Sequence, residues 1–258
     1  MKQLRLIFLF ILPSIFLFSC SGNTTKNESK DSPALLASTT AGSGNDMYYE
    51  TTTTSSGKDV AINGITKMYV SSKGDMRAEM NMSNSASPNK NVLYRVLIGH
   101  ADKPNESIAI DAEKKTYTIN QISPNDLNTE EKIQSTVTKA GEEKILGFNC
   151  VHAKIISKKT MGSFYSTIDT IDLWKSNDVP MQASVKELFN QFESRTGNTM
   201  YSPEATAQLK QMGCDGFTVK MEMGSKDVSM VMQLTKVEHR DLPASMFEIP
   251  SGYKGIKE

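Results

Sequence analysis

Met76-Arg77-Ala78-Glu79-Met80-Asn81-Met82 alternates without a break. Met76, Ala78, Met80 and Met82 point one way, and Arg77, Glu79 and Asn81 the other, which is the period of a half-buried strand. Outward from this run the same period recurs. Upstream, Lys73-Gly74-Asp75 turns the chain back into Ile65 to Ser71. Before that lies Met47-Tyr48-Tyr49-Glu50-Thr51-Thr52-Thr53-Thr54, aromatic and β-branched, broken by Ser56-Gly57. Downstream, Ser83 to Asn91 is a polar loop with Pro88, and Val92 to Ile98 and Ser107 to Ile110 read as strands. Asp111 to Lys115 then turns into Thr116-Tyr117-Thr118-Ile119. Connections this short suit antiparallel neighbours, because parallel strands need long crossovers.

The second half repeats the scheme and then departs from it. After a polar connection from Pro124 to Lys132, the segments Ile133 to Thr138, Cys150 to Ile156 and Phe164 to Trp174 read as strands. Gly141-Glu142-Glu143-Lys144 and Ser157 to Gly162 are expected to be the turns between them. Two helices are then expected. Asp178 can cap the first, Pro180 suits its first turn, and Met181, Val185, Leu188, Phe189 and Phe192 form one apolar stripe before Gly197. Ser202-Pro203 opens the second, with Ala205, Leu209 and Met212 inward and Gly213 at its end. Phe217 to Met223 and Val228 to Val237 close the chain as two strands around Gly224-Ser225-Lys226-Asp227. The final apolar and turn-forming residues, Leu242 to Tyr253, read as a tail along a sheet edge. With no repeat and no second break in composition, 47–258 is expected to be one β-rich domain.

The N-terminus speaks to compartment. Lys2 and Arg5 precede an apolar run, Leu6 to Phe18, and Leu17-Phe18-Ser19-Cys20 follows. This reads as a secretory signal over 1–19, and the cysteine resembles the lipobox of bacterial lipoproteins, in which it is acylated, with palmitate among the groups implied. An ordinary signal with an incidental cysteine, or an uncleaved anchor, are the competing readings. Residues 20–46 are rich in Ser, Thr, Asn, Gly and Lys and read as a flexible tether behind the lipid-bearing Cys20. Formal net charge is zero, and no basic block could neutralise a run of phosphates, so nucleic acid is not an expected partner. No later apolar run is long enough to span a bilayer, so membrane attachment would be through lipid alone. Of three cysteines, Cys150 and Cys214 remain once Cys20 is counted; in an oxidising compartment they can bridge, or stay as buried thiols.

Several stretches together resemble a known family. They are the lipobox, Ile65-Thr66-Lys67-Met68-Tyr69-Val70 with Gly74-Asp75-Met76-Arg77, Lys144-Ile145-Leu146-Gly147-Phe148-Asn149-Cys150, Asp172-Leu173-Trp174, and Met246-Phe247-Glu248-Ile249-Pro250-Ser251-Gly252-Tyr253. The chain is similar to an exported bacterial family, domain-of-unknown-function family 4412, which is itself similar to the LolA/LolB-like superfamily of lipoprotein carriers. That resemblance implies a strongly curved antiparallel sheet, an unclosed barrel, with helices across its concave face over an apolar cavity. In the carriers the cavity accepts acyl chains, and the LolB relatives are lipid-anchored.

Candidate chemistry is sparse. The chain lacks a Gly-x-Ser-x-Gly elbow, a His-Glu-x-x-His pair and a phosphate loop. Cys150-Val151-His152 could place a thiol beside an imidazole, though no third group is evident. Asp169 and Asp172, three apart on a strand, should face opposite sides and not act as a carboxylate pair. No catalytic residue, metal or cofactor is therefore expected. The methionines, 15 in all, are the notable feature. Met80, Met82, Met221, Met223, Met230 and Met232 fall at alternating strand positions, where unbranched, polarizable side chains either fill core or line a site for variable apolar ligands. With Leu188 and Phe189 on the first helix they are the candidate ligand residues. Three classes stay open: a lipid-anchored module binding an apolar ligand or acylated protein, a structural envelope lipoprotein with a packed core, and an enzyme, the weakest. The expected location is the cell envelope, facing the periplasm or the cell surface, with the outer membrane favoured over the inner; the protein partner is unknown.

Overall fold

The computed structural model of the chain describes residues 39–40, 44–57, 60–85, 92–121, 131–161, 165–181, 201–225 and 228–256. Among these, the strands are β1 (Thr39–Thr40), β2 (Asp46–Gly57), β3 (Val60–Val70), β4 (Met76–Asn84), β5 (Val92–Gly99), β6 (Glu106–Asp111), β7 (Thr116–Gln121), β8 (Glu131–Ile145), β9 (Phe148–Met161), β10 (Tyr165–Ser176), β11 (Phe217–Gly224), β12 (Val228–Arg240) and β13 (Lys254–Gly255). All belong to one sheet of order β13-β7-β6-β5-β4-β3-β2-β12-β11-β10-β9-β8, with β1 alongside β12. Two meanders, β2 to β7 and β8 to β12, are thus joined where the last long strand pairs antiparallel with the first. Among the described strands only the two-residue pairs β1–β12 and β13–β7 are parallel. The ends of the order, β13 and β8, do not pair with each other, so the sheet is not closed.

Two expected turns prove to be strand. β8 continues through Gly141 to Lys144, and β9 continues through Ser157 to Met161. The reversal between them is a two-residue link, Leu146-Gly147, flanked by the Ile145–Phe148 pair. Both residues hold positive φ, 54° and 87°, the backbone of a tight hairpin turn whose twist matches the strands. Gly141 is accommodated because the register slips between Lys139 and Gly141, leaving Ala140 as an extra residue. Ser157 is fully buried and shares a hydrogen bond of 2.9 Å with Ser135, so it belongs to the face of the sheet. Similar slips set Val219 apart in β11 and Thr235 in β12. Such bulges bend a strand and raise its twist.

The α-helix among the described residues, α1 (Pro203–Gln211), follows its sequence signals. The Ser202 hydroxyl accepts from the Ala205 N–H at 3.4 Å, Pro203 takes the first turn, and Gly213 at φ 73° lets the Cys214 N–H reach Leu209 O at 2.8 Å. Its buried Ala205 and Leu209, with Tyr201, pack against Val137, Ile155, Ile171, Met221 and Met232. The other expected helix, Met181 to Phe192, lies outside the described residues apart from Met181, which packs against the cluster around Tyr49 and Trp174. Asp178, its expected cap, accepts through one oxygen from the backbone N–H and side-chain amide of Asn149 at 3.0 and 2.7 Å, and the helix it would cap falls outside the described residues.

A second cluster gathers Met47, Tyr49, Phe148, Trp174, Phe217 and Leu234. A third joins Ala78, Met80 and Leu97. The tail behaves as its sequence suggests. After a 3-10 turn at Ala244–Phe247, Ile249 and Tyr253 pack on Val96, Ile98, Ile108 and Ile110, and β13 lies against β7.

Candidate functional site

Residues directly opposite in an antiparallel ladder share a face, so the register states which side chains meet. One row runs Met80, Thr66, Thr51, Leu234 across β4, β3, β2 and β12. The next runs Met82, Gly64, Thr53, Met232, Met221, Leu173 and reaches β10. A third runs Ile62, Ser55, Met230, Met223, Ile171, Ile155, Val137 and reaches β8. All six candidate methionines therefore stand on one face, as two patches: Met80 and Met82 on one side, and Met221, Met223, Met230 and Met232 on the other. Met80, Met221, Met230 and Met232 are buried, whereas Met82 and Met223 are half-buried.

Between the patches lies a stripe that the sequence reading did not single out. Thr51, Thr53, Ser55 and Thr66 are all buried, at 5, 2, 8 and 6% exposure. Ser55 donates to Ser229 O at 3.0 Å. The hydroxyls of Thr51, Thr53 and Thr66 have no hydrogen-bond partner. A buried polar group left unpaired costs about 1–3 kcal/mol, so three on one patch of face are unusual. A signal existed in the sequence: Thr51 and Thr53 continue the parity of Met47 and Tyr49, so they carry hydroxyls onto the side of β2 that elsewhere takes apolar residues.

The other singled-out residues do not converge. Cys150 and Cys214 are both free and buried, in different clusters, so the bridge is not formed. Each thiol points at a backbone carbonyl, Cys150 at Phe148 O and Cys214 at Val151 O, at 3.5 and 3.6 Å. Burial is the main cause that pushes the Cys150 thiol up to about 11, with the Glu143 and Asp178 carboxylates adding to it and a backbone hydrogen bond at Ile145 opposing it. A thiol held neutral in this way is a poor nucleophile. His152 stacks on Trp174 with ring centroids 4.1 Å apart and bonds Asp172 at 2.9 Å, while the indole N–H donates to Glu143. Cys150 and His152 are thus committed to different partners. Asp169, by contrast, is buried and stands 3.9 Å from Lys159, so the two aspartates act separately. Cys20, Leu188 and Phe189 lie outside the described residues. Among the described residues no group of three or more His, Cys, Asp or Glu could hold a metal ion, and no helix is long and apolar enough to cross a membrane.

A family model described as "Domain of unknown function (DUF4412)" matches residues 53–253. No curated protein matches the chain. Similar solved structures include LprF from Mycobacterium bovis, at 10% identity and TM-score 0.34, covering 80% of this chain and 89% of that one. A DUF1329 family protein from Desulfovibrio piger is 10% identical at TM-score 0.30, covering 80% and 90%. A LolA superfamily protein from Nitrosomonas europaea is 6% identical at TM-score 0.31, covering 81% and 92%. At TM-scores this low, what the protein does has to be argued from its own sheet.

Proposed function

The chain belongs to the DUF4412 family, and from that premise we propose that it is a lipid-anchored envelope protein that binds an apolar ligand, an acyl chain above all, on the methionine-bearing face of its open sheet. The observation that carries this reading is the register. Six methionines drawn from β4, β11 and β12 meet on one face of a sheet whose edges never join. Ordinary β core is built from branched residues that pack in one way, whereas methionine adapts to whatever lies against it. Met82 and Met223 keep part of their surface accessible, one in each patch, so each patch has a point at which a ligand can begin to bury itself. An acyl chain gains about 25 cal/mol for each Å² of apolar surface removed from water, which gives useful affinity without any charged contact. The proposal includes acylation of Cys20, attachment to the membrane by that lipid alone, residence in the envelope, and no catalytic step.

The near-complete burial of Met230 and Met232, at 3 and 4% exposure, favours a second reading: a structural lipoprotein whose interior is filled. Uptake of a pyrene-labelled alkane by the purified full chain separates the two. Saturable binding, weakened at least tenfold by Met82→Asp or Met223→Asp in variants that retain the thermal transition, supports the binding reading. A chain that takes up no apolar probe belongs to the structural class.

A further inference from the structure

Resting on the binding reading, we infer that Thr51, Thr53 and Thr66 form a polar subsite for the ester carbonyl of an acylated ligand, set between the two methionine patches. Thr51 and Thr66 are directly opposite one another on β2 and β3, and Thr53 follows Thr51 on the same face. Opposed residues in such a ladder lie about 5 Å apart and next-but-one residues about 7 Å apart, so the three hydroxyl-bearing side chains stand side by side within the reach of one small oxygen-bearing group.

The geometry of β2 does not by itself leave hydroxyls orphaned. Ser55, the next residue on this face, finds an acceptor in Ser229 O at 3.0 Å. Thr51 and Thr66 are close enough to serve one another, yet neither has a partner. Unpaired, they weaken the fold; a bound ester offers two lone pairs on its carbonyl oxygen and a weaker acceptor in its alkoxy oxygen, enough for the three donors.

The surroundings decide the class of ligand. Cross-strand neighbours of the triad are Met80, Met232, Leu234 and Gly64, none of which carries charge. The glycine keeps its place open to the flexible side chain of Met82, which a Cβ at Gly64 would meet at 2.9 Å. Arg95, opposite Met80 in the same row, is two strands from Thr66 and is already engaged. Neutral O–H donors in an apolar frame suit a neutral carbonyl. A free carboxylate there would lose its hydration without gaining a counter-charge, which costs far more than three hydroxyls return. The chemistry recognised is therefore that of an ester-linked acyl chain, which a glyceride and an acylated protein both supply.

The test compares binding of three probes to the purified full chain: a pyrene-labelled diacylglycerol, a diacylated lipopeptide with the same chains, and a pyrenyl alkane of matched length. One or both ester probes should bind about tenfold more tightly than the alkane, and the tighter of the two identifies the source. In Thr51→Val, Thr53→Val and Thr66→Val that ratio should fall toward one, and Thr51→Ser should restore it. Thr→Val keeps the shape and the β-branch and removes an orphaned hydroxyl, so the thermal midpoint should hold or rise. Alkane uptake with no ester preference in the wild type, or a preference that survives all three valines, overturns the subsite while leaving the binding reading intact. Absence of uptake for all three probes overturns both.

Discussion

Alkylation of Cys150 is a sensitive measure of how the cluster it shares with Phe148, Trp174 and Phe217 is packed. Thiolate, not thiol, reacts with iodoacetamide. An ordinary cysteine of pKa 9.0 is about one-tenth ionised at pH 8; with the value pushed up to about 11, the ionised share falls about 100-fold. Exclusion of reagent from a residue 2% exposed slows the reaction further. The full chain carrying Cys20→Ala leaves Cys150 and Cys214 as the remaining cysteines, and peptide mass mapping reads Cys150 by itself. Native Cys150 should label at least 100-fold more slowly than the same residue in denaturant. Denatured without reductant, the chain should yield two labelled cysteines. Fast native labelling would show that the cluster around Cys150 is open, and the absence of label after denaturation would show a bridge. The sign for stability follows. Unfolding lets the thiol ionise at its ordinary 9.0 while the folded chain resists to about 11, so the contribution is fully present below about 9 and lost as pH rises from there to about 11. Melting midpoints of wild type and Cys150→Ala should therefore converge over that window.

Two other perturbations check separate parts of the account. Lys115 is exposed and holds φ 52° in the turn between β6 and β7, so Lys115→Asn should raise stability by about 1 kcal/mol, read as a thermal midpoint about 2–4 °C higher; a lower midpoint would refute the strain argument. Cys20→Ala should release the protein from wash-resistant membrane fractions, and retention would remove the lipid anchor from the proposal.

The mainly β class and the antiparallel meander were legible because Met76 to Met82 alternates strictly and Met230, Met232 and Leu234 keep the same period, and alternation is what a half-buried strand imposes. Turn chemistry was less so. Gly141-Glu142-Glu143-Lys144 carries every local mark of a reversal, yet a single extra residue, Ala140, absorbs the glycine into β8 and the chain turns later at Leu146-Gly147. A bulge is set by the partner strand, which lies outside any local window. Burial on both sides of β2 was also hidden. Met47, Tyr48 and Tyr49 are consecutive and all buried, because Tyr48 is covered on the opposite side by Arg240, whose guanidinium lies 3.6 Å from the ring centre, and by Tyr69. Periodicity put the methionines at alternating positions within each strand, and the register put them on one common face. The threonines between them were not found, since an unpaired hydroxyl becomes visible only once its neighbours across the ladder are known.

The pairing of β1 with β12 would shorten the leash that the proposed lipid at Cys20 gives the protein. Thr39 and Thr40, inside the stretch that reads as tether, lie parallel to Val237 and Glu238 in the middle of the sheet. From Cys20 to Thr39 is 19 residues, and a chain of that length, fully drawn out, spans at most about 65 Å. Measured to Asp46 instead, the same stretch of chain gains another seven residues, or about 24 Å of reach. Under the proposed acylation of Cys20, β12 would be confined to a shell about 65 Å deep above the bilayer, and the line of pull would enter at one fixed strand. On the proposed binding reading, a ligand leaving this face for that membrane would have a bounded search volume.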